Sequence, residues 1–515
     1  MVFGYGDGFW FYYFMAKKMK VLGLAAKATG AVLVVFVGVC LFGAEASRAA
    51  SCGEDNVRWS VSSNRVYVSG DVTCTLSELA EIEPHAEILP VEGRENTWLL
   101  GSNIVLQNGA KLNLVGSELG GDVDELRMRS NNTDEANSIV YIRAHWGEIN
   151  IQGTKIISWD EEAGGPDTEY GSFGRSYIQV RSYLEGDAAR ESRMDIIDSE
   201  IGYLGYYGAE AYGLSWKVLG SGKNLYDQVN VYGDVTGSRI HHNFFGAYTY
   251  GAQGMNWLDN EIDNNVMYGL DPHDDSDEFL IEGNDVHDNG KHGIIGSRRC
   301  DHLVIRENNS YNNGGNGIML HRNTDDATVE NNRAYRNGDS GIAVFDSHRN
   351  LIRNNVVDGN EKGMRFSVGS SDNFIQNNEV LNSNKYGFYF YKGSNLPAEG
   401  DGRPKRNVFA NNTVLDSGVN GIKLREGDEN LFKDNHFRNN GKDIVLIEAH
   451  NNTLENNVVE GNAMYGIRLK RGSTGNQIKN NTIEDNGKVG IYLCCLLYTS
   501  PSPRDLSTSR MPSSA

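Results

Sequence analysis

The stretch from Tyr268 to Asp274 gathers side chains that are suited to proton transfer. It reads Tyr-Gly-Leu-Asp-Pro-His-Asp, so a phenol, two carboxylates and the imidazole of His273 lie within seven residues. Histidine ionises near neutral pH and can therefore take up a proton under physiological conditions. Arg298 follows 25 residues after His273 and supplies a fixed positive charge. Together they suit removal of a proton next to a carboxylate, because the anion that forms is tolerable only when a cation neutralises that carboxylate.

Two other interpretations of the same residues remain open. Asp-Pro followed by further aspartates is typical of a turn without chemistry. Asp271, His273, Asp274 and Asp275 also include ligand types for a metal ion. Only one good nitrogen ligand is present, however, and no second histidine is placed to help it. We therefore expect neither a metal nor a cofactor at this site.

A repeat with a period of about 24 residues must position these side chains. Glycine recurs at positions 269, 293, 317, 341, 363, 387, 421, 466 and 490, and Asp443 occupies the glycine position of one further repeat. The longer step after Gly387 contains one inserted loop, from Ser394 to Pro404. A fixed period in this range predicts a solenoid, in which each repeat buries its apolar face against its neighbours.

Two further columns indicate which solenoid this is. Asparagine lies nine residues before each of these glycines, at Asn260, Asn284, Asn308, Asn332, Asn354, Asn378, Asn412, Asn457 and Asn481. Apolar residues lie twelve before, at Trp257, Ile281, Ile305, Val329, Leu351, Ile375, Phe409, Leu431, Leu454 and Ile478. Stacked amides can hydrogen-bond from coil to coil, and repeats this short leave no room for a helix. The sequence predicts an all-β, right-handed parallel β-helix with an N-terminal capping region.

The strand after each glycine should present two columns of side chains to solvent. The first and third residues after the glycine are mostly apolar, so the second and fourth should point outward. These outward positions are Tyr248/Tyr250, Asp271/His273, Ile295/Ser297, Met319/His321, Ala343/Phe345, Arg365/Ser367, Tyr389/Tyr391, Lys423/Arg425 and Arg468/Lys470, with Arg298 and Arg322 one residue further along. Basic and tyrosine side chains on this face predict a groove for an acidic polysaccharide, although a solvated face with random charge is the alternative. Within the groove we expect Asp274, Tyr248, Tyr250, His321, Arg322 and Arg365 to bind substrate.

Composition limits the partners. The chain has 515 residues and a formal net charge of −20, which argues against nucleic acid. Lysines followed by an apolar run and small residues before residue 50 predict a cleaved secretory signal and no membrane segment afterwards, with an uncleaved anchor as the alternative. Cys52 and Cys74 could then form a disulfide in an oxidising compartment. We expect a secreted, extracellular or cell-wall protein.

Four segments are predicted along the chain. Residues 1–50 are the targeting segment, and residues 51–150, which lack the repeat, should cap the first coil. Residues 151–495 form the β-helix. Residues 496–515 are rich in serine, proline and arginine and show no period. They are predicted to be an unstructured tail that is foreign to the native protein, with a disordered linker as the alternative.

The quoted motifs resemble the mannuronan C5-epimerases of the bacterial periplasmic and secreted brown-algal types. The resemblance rests on Tyr268–Asp274, on His292-Gly293-Ile294-Ile295 with Ser297-Arg298, and on Gly317–Leu320 with Arg322-Asn323, and it covers roughly residues 151–391. It implies conversion of β-D-mannuronate to α-L-guluronate within polymeric alginate. It also implies His273 and Tyr268 as the acid/base pair, Asp271 as support and Arg298 as the carboxylate neutraliser.

Two other functions fit the same fold. A polyuronate lyase would share the removal of the C5 proton and then expel the 4-O-glycosidic bond. A non-catalytic β-helix would only bind the polysaccharide and would not need His273. The fold does not decide between them, since β-helices carry many activities.

Overall fold

The computed structural model describes residues 50–494, apart from residues 134, 136, 209, 210, 223, 396, 398 and 399. Nearly half of these residues form short strands, which stack into three mainly parallel sheets, here named A, B and C. Residues 1–49 of the predicted targeting segment and the whole predicted C-terminal tail lie outside the described residues. Within the described part of the chain, no helix is long and apolar enough to cross a membrane.

Most coils contribute one strand to each sheet, and four short extra strands pair antiparallel with a coil strand: Val57–Ser60, Ile88–Pro90, Gly165–Pro166 and Ala188–Arg190. Sheet A contains Ala50–Ser51, Val72–Thr75, Lys111–Val115, Glu148–Gln152, Arg193–Ile197, Val235–Thr236, Asn256–Leu258, Leu280–Glu282, Val304–Arg306, Thr328–Glu330, Leu351–Arg353, Phe374–Gln376, Val408–Ala410, Leu431–Lys433, Thr453–Glu455 and Gln477–Lys479. Sheet B contains Val57–Ser60, Arg65–Ser69, Asn103–Gln107, Tyr141–His145, Tyr177–Glu185, Ala188–Arg190, Gly213–Val218, Phe245–Tyr250, Leu270–Asp271, Ile294–Ser297, Ile318–His321, Ser340–Phe345, Lys362–Ser367, Tyr386–Tyr391, Asn420–Arg425, Ile444–Ile447, Ile467–Lys470 and Ile491–Cys494. Sheet C contains Ile88–Pro90, Thr97–Leu100, Glu125–Arg129, Lys155–Asp160, Gly165–Pro166, Glu200–Gly202, Arg239–His241, Glu261–Asp263, Asp285–His287, Asn309–Tyr311, Arg333–Tyr335, Val356–Asp358, Glu379–Leu381, Thr413–Leu415, His436–Arg438, Val458–Glu460 and Thr482–Glu484.

The core lies between the three sheets and is continuous along the stack. Leu270, Ile294, Ile318 and Ile342 are its members from sheet B in four successive coils, and each is at most 1% exposed. The recurring glycine precedes each of these residues. A Cβ atom at Gly293 would come within 2.8 Å of the backbone oxygen of Gly317 in the next coil, which is too close for any other residue. The glycine period therefore follows from the close spacing of the coils.

Asparagine ladders bind the coils together, as the sequence predicts. In one ladder the Nδ2 atom of Asn308 donates to Oδ1 of Asn332, and Asn332 donates to Asn355, both at 3.0 Å. The predicted member Asn354 is wrong: it is exposed on the turn, and Asn355 takes its place in the ladder. The step from Gly341 to Gly363 is only 22 residues long. The ladder asparagine therefore lies eight residues before Gly363 instead of nine.

The same slip affects two apolar positions. Ile352 and Phe432 occupy the core, whereas the predicted Leu351 and Leu431 are only partly buried. The strand registers agree, since Val329 pairs with Ile352 and Phe409 pairs with Phe432 in sheet A.

The coils begin earlier in the chain than the sequence predicts. Arg65–Ser69 already pairs in parallel with Asn103–Gln107, and that strand pairs with Tyr141–His145. Residues 51–150 thus already form turns of the β-helix and are more than a cap. These first coils are longer than 24 residues and lack the asparagine and glycine columns, which is why the repeat did not reveal them.

Elements that differ from the coils lie near the N-terminal end. The α-helix Leu76–Ile82 is capped at its N-terminus by Thr75, which forms a capping box with Glu78. Two 3-10 turns span Val61–Ser63 and Ser117–Leu119. The predicted disulfide between Cys52 and Cys74 is present.

Candidate active site

The outward columns predicted from the sequence are present on sheet B. In the strand registers Tyr248 aligns with Asp271, His273 with Ser297, and Ser297 with His321. Side chains alternate across a strand, so these residues lie on the face opposite the core residue Leu270. The columns therefore bring Asp271 and His273 to the outer face of one coil.

The backbone turns sharply directly after these two residues. The strand ends at Asp271, because Pro272 has no N–H group to donate to the neighbouring strand. Asp274 and, one coil further on, Arg298 then adopt left-handed backbone angles, with φ of 38° and 68°. The amide of Asp274 donates to Ser297, and the amide of Arg298 donates to His321, so the two turns stack. Arg298 consequently lies one coil away from Asp274 in the same column.

His273 and Arg298 meet on one carboxylate oxygen of Asp274. The Nδ1 atom of His273 lies 2.7 Å from Oδ2 of Asp274, and Nη1 of Arg298 lies 3.8 Å from the same oxygen. The side chain of His273 is 20% exposed and that of Arg298 is 47% exposed, so both can be reached from solvent. Because Nδ1 lies against Asp274, Nε2 is the ring nitrogen of His273 that a ligand could use. The structure thus brings these two predicted site residues together, and their joint action in catalysis stays a prediction.

The charges around His273 set its basicity. Burial of the ring lowers its pKa, but the contact with Asp274 and the negative charge of Asp271 outweigh burial, so the pKa of His273 is raised above its ordinary value of 6.5. Burial raises the pKa of Asp274, but His273, Arg298 and Arg299 outweigh that effect and lower it. Asp274 is therefore ionised at neutral pH and supports His273 as a base.

Asp271 differs from its predicted position. It belongs to the outward column, but it is only 1% exposed and does not line an open surface. Its Oδ1 atom is buried with no hydrogen-bond partner among the described residues. Burial raises the pKa of Asp271 to about 7, against the opposing effect of His273. The direct carboxylate partner of His273 is thus Asp274, which the sequence placed among the substrate-binding residues, while Asp271 acts on His273 through its charge.

Tyr268 lies in a stack of rings where the strands of sheet B begin. Its ring is 5.1 Å from Phe245 on one side and 5.1 Å from His292 on the other, with interplanar angles of 12° and 9°. Burial, together with the charge of Asp271, raises the pKa of Tyr268, so its phenol stays protonated at neutral pH. Among the contacts of the described residues, none joins Tyr268 directly to His273. A substrate placed between them would have to bridge the two.

His292 holds the other side of this ring stack. Its Nδ1 atom accepts a hydrogen bond of 3.0 Å from the backbone N–H of Asn316 in the next coil. Burial, with a contribution from Arg365, lowers the pKa of His292 to about 4. The ring is therefore neutral with its proton on Nε2, and it supports Tyr268 without adding charge.

Arg299 was missed by sequence reasoning. It lies beside Arg298, where it pairs with Asp274 at 2.9 Å and with Asp275 at 2.7 Å. No signal in the sequence separated it from its neighbour, because both arginines follow the end of the same strand. In the structure Arg299 is bound by two carboxylates, which leaves Arg298 as the more available cation.

Three of the predicted substrate-binding residues lie close to the site: Asp274, described above, Tyr248 and His321. The ring of Tyr248 is 5.4 Å from His273, although Tyr248 is only 7% exposed. Ser297 and Nδ1 of His321 are within hydrogen-bond distance at 3.1 Å, and burial with the charge of Arg322 lowers the pKa of His321 to about 3. His321 is therefore neutral, as a residue that hydrogen-bonds a sugar can be.

The other three predicted residues differ more from expectation. Arg322 lies over the ring of Phe345 at 6.0 Å, and Tyr250 packs against Tyr226 at 5.8 Å. Arg365 is wrongly placed as an exposed cation. Its side chain is only 13% exposed, and it pairs with Asp339 at 3.0 Å. Ile295, Met319 and Ala343 precede Arg365 in the same column, and together with Phe345 of the adjoining column they form an apolar cluster on this part of the sheet.

Sheet B extends the two columns toward the N-terminus, beyond the region with the repeat. Register pairs place Arg143, Gln179, Ser215 and Tyr248 in one column. The adjoining column contains Arg181, Lys217 and Tyr250. These basic residues were missed because the long early coils carry no glycine period to align them. They extend the basic face of sheet B from His273 toward the N-terminal coils.

The described residues contain no group of three or more histidine, cysteine, aspartate or glutamate side chains arranged to hold a metal ion. Cys300 is free and buried. Its Sγ atom lies 3.4 Å from the backbone oxygen of Pro272, so it packs beneath the turn that carries His273.

Part of the chain matches the family described as "Right handed beta helix region". The match covers residues 273–401 and 374–497, which is less than half of the chain. It agrees with the parallel coils described above, and the predicted right-handed parallel β-helix is confirmed.

Relatives with assigned functions are similar to a smaller part of the chain. The mannuronan C5-epimerase of Pseudomonas putida is 30% identical over 173 residues, which is 33% of this chain and 30% of that protein. The mannuronan C5-epimerase of Pseudomonas aeruginosa is 28% identical over 223 residues, which is 43% of this chain and 37% of that protein. The similarity to this family that the motifs indicate is confirmed. The chain spans about a third of the length of these relatives in the matched segments.

Among solved structures, the fold is similar to that of the periplasmic alginate epimerase AlgG. The two chains are 22% identical, with a TM-score of 0.60 over 70% of this chain and 82% of the other. At this identity the comparison establishes the shared β-helix and leaves the chemistry to the site.

Proposed function

We propose that this protein is a mannuronan C5-epimerase, an isomerase that converts β-D-mannuronate to α-L-guluronate within polymeric alginate. The observation that carries the proposal is the meeting of His273 and Arg298 on one carboxylate oxygen of Asp274, on a face lined with further basic residues. The similarity to mannuronan C5-epimerases supports the choice of substrate.

The first step removes the C5 proton. Arg298 is the more available cation at the site and would bind the carboxylate of the mannuronate unit, so that the enolate-like anion gains a fixed counter-charge. His273 would take the proton on Nε2, because its Nδ1 atom faces Asp274. Proton transfer by a base whose pKa is close to the working pH is efficient.

The second step returns a proton to the opposite face of the sugar. Tyr268 is suited to this role because its raised pKa keeps the phenol protonated at neutral pH. It lies at the beginning of the strands, apart from His273, so a sugar ring between the two would present one face to each. Retention of the 4-O-glycosidic bond then gives epimerisation instead of elimination.

Incubation with polymannuronate tests the proposal. Guluronate signals in the NMR spectrum, without loss of chain length, are expected for the wild-type protein and not for His273→Ala. His436→Ala is a matched control, because His436 is a partly exposed histidine on sheet C, which does not carry the site. Unsaturated, UV-absorbing chain ends would instead show a lyase. Binding without either product would show a non-catalytic β-helix.

We also propose that the protein is exported and acts outside the cell. The disulfide between Cys52 and Cys74 supports an oxidising compartment, as does the lysine-flanked apolar run before residue 50. N-terminal sequencing of protein collected from the medium of an expressing culture would test this. A mature N-terminus close to residue 46 is expected, and retention of the full-length chain inside the cell would contradict it.

A further inference from the structure

An exposed group of aromatic side chains borders the candidate active site and has no role in the chemistry proposed above. Tyr207 is 81% exposed and Tyr170 is 41% exposed. Both rings lie 6.1 Å from Phe244, and Tyr207 is also 6.5 Å from Tyr212. We name Tyr170, Tyr207, Tyr212 and Phe244 the aromatic patch. Phe244 is only 7% exposed, so the exposed surface of the patch is that of its tyrosines. Exposed aromatic surface of this kind often marks a binding site.

The aromatic patch is continuous with the ring stack that holds Tyr268. The ring of Tyr212 lies 4.7 Å from Phe245, and Phe245 lies 5.1 Å from Tyr268. A path of ring contacts thus leads from the most exposed aromatic residue of the patch to the proposed proton donor. A ligand unit on the patch would therefore be a near neighbour of the unit that reacts.

A buried arginine contacts the two loops that carry the tyrosines of the patch. Arg175 is only 1% exposed, and its guanidinium donates to the backbone oxygens of Gly205 and Leu204 at 3.0 and 3.3 Å. It also reaches the backbone oxygen of Asp167 at 3.5 Å and lies 5.4 Å from the ring of Tyr170. The surface is therefore held in place before a ligand binds, which reduces the entropy lost on binding.

The chemistry of the patch differs from that of the basic columns. Arg175 is buried and bound by carbonyl groups, so the patch offers aromatic rings rather than an available cation. Rings of this kind favour a flat, weakly polar surface, such as the C–H face of a pyranose, over a carboxylate. The basic columns of sheet B, by contrast, favour the carboxylates of the same polymer.

We propose that the aromatic patch is a subsite that stacks on a sugar ring of the polyuronate chain, next to the unit held between His273 and Tyr268. The inference rests on the proposed function for the identity of the polymer. A second copy of this chain on the same surface is an outcome that the oligomeric state of the variant would reveal.

Binding of polymannuronate to Tyr207→Ala tests the subsite, with retardation in polymer-containing gels as the measurement. We expect about a threefold to tenfold loss of affinity, the size of one aromatic contact. Tyr207→Trp should keep or increase binding, because a larger ring replaces the phenol. Phe374→Ala is the control, since Phe374 is 38% exposed but lies on sheet A.

Salt separates stacking from charge. Raising the salt from about 0.1 M to about 1 M shortens the screening length from about 10 Å to about 3 Å and weakens the contribution of the basic columns. The ratio between wild type and Tyr207→Ala should stay constant over this range. A ratio that disappears at high salt would overturn the inference, as would binding of Tyr207→Ala equal to that of Phe374→Ala. A change in oligomeric state confined to Tyr207→Ala would identify the patch as a contact between copies and would also overturn it.

The two proposals fail separately. If the wild type forms guluronate but Tyr207→Ala binds and converts the polymer normally, only the subsite is wrong. If the wild type binds polymannuronate without converting it, the proposed reaction is wrong, and the binding comparison still decides the subsite. If the wild type does not bind polymannuronate at all, both are wrong.

Discussion

Replacing Asp274 by asparagine should move the pH dependence of epimerisation to lower pH. The carboxylate of Asp274 lies 2.7 Å from Nδ1 of His273, and this contact outweighs the effect of burial to raise the pKa of the imidazole. A neutral amide removes that charge and leaves burial to act in the opposite direction. Protonated His273 cannot accept a proton, so activity is present above its pKa and lost below it.

The size of the shift follows from the charge removed. An opposite charge within hydrogen-bond distance moves a pKa by about one to three units. Each unit corresponds to about 1.36 kcal/mol, or a tenfold change in the fraction of neutral base at low pH. At low pH, the rate of the variant expressed as a fraction of its own maximal rate should therefore be at least about tenfold larger than the same fraction for the wild type. Its maximal rate should fall, by up to about 10⁴-fold, as when an amide replaces the carboxylate that orients a catalytic histidine.

The assay is the initial rate of guluronate formation, followed by NMR across the pH range. Asp275→Asn is the matched control: Asp275 pairs with Arg299 at 2.7 Å, and His273 takes its charge contacts from Asp271 and Asp274 instead. Asp271, with its pKa raised to about 7, titrates in the same range, so the midpoint of the wild type belongs to the coupled groups. An unchanged midpoint in Asp274→Asn, or a shift to higher pH, would refute the role of Asp274 in setting the base.

Three other changes test separate parts of the structure. Arg298→Gln should lower kcat/KM by about 10²–10³-fold through loss of one stabilising group, measured by NMR, while Arg298→Lys should recover part of it; equal rates for Gln and wild type would exclude a carboxylate contact. Asn308→Ala should lower the free energy of unfolding by about 1–3 kcal/mol for each buried partner left unsatisfied, measured by denaturant titration, and an unchanged midpoint would contradict the ladder. Asp271→Asn should raise the melting temperature at pH 8 and much less at pH 5, because the raised pKa of Asp271 makes its stability contribution fall as pH rises from about 4 to about 7; an equal effect at both pH values would disprove this.

The sequence predicts the columns of sheet B well because their spacing is enforced by close packing. A side chain at Gly293 would collide with the backbone of the next coil, so the glycine is retained and marks each strand. Counting forward from the glycine then gives the correct register, as the pairs Tyr248 with Asp271 and Ser297 with His321 confirm. Counting backward is less secure, because the turn between Asn332 and Asn355 loses one residue and shifts the ladder.

The carboxylate partner of His273 could not be predicted by alternation. Alternation holds only within a strand, and the strand ends at Asp271. Pro272 and the left-handed backbone of Asp274 turn the carboxylate of Asp274 back toward the imidazole. The burial of Asp271 was equally hidden, since it depends on neighbouring coils. The aromatic patch lies in loops of the early coils, where no period guides the assignment.

The asparagine ladder shows how such a scaffold tolerates change. Asn350 binds Asn373 across 23 residues, and Asn373 binds Asn407 across 34 residues, yet the two hydrogen bonds are 3.0 and 2.9 Å long. Extra chain between Asn373 and Asn407 is thus accommodated entirely outside the stack. Loops at this corner can therefore differ in length and sequence while the ladder stays the same. New binding surfaces can be added beside the groove without changing the coils that support it.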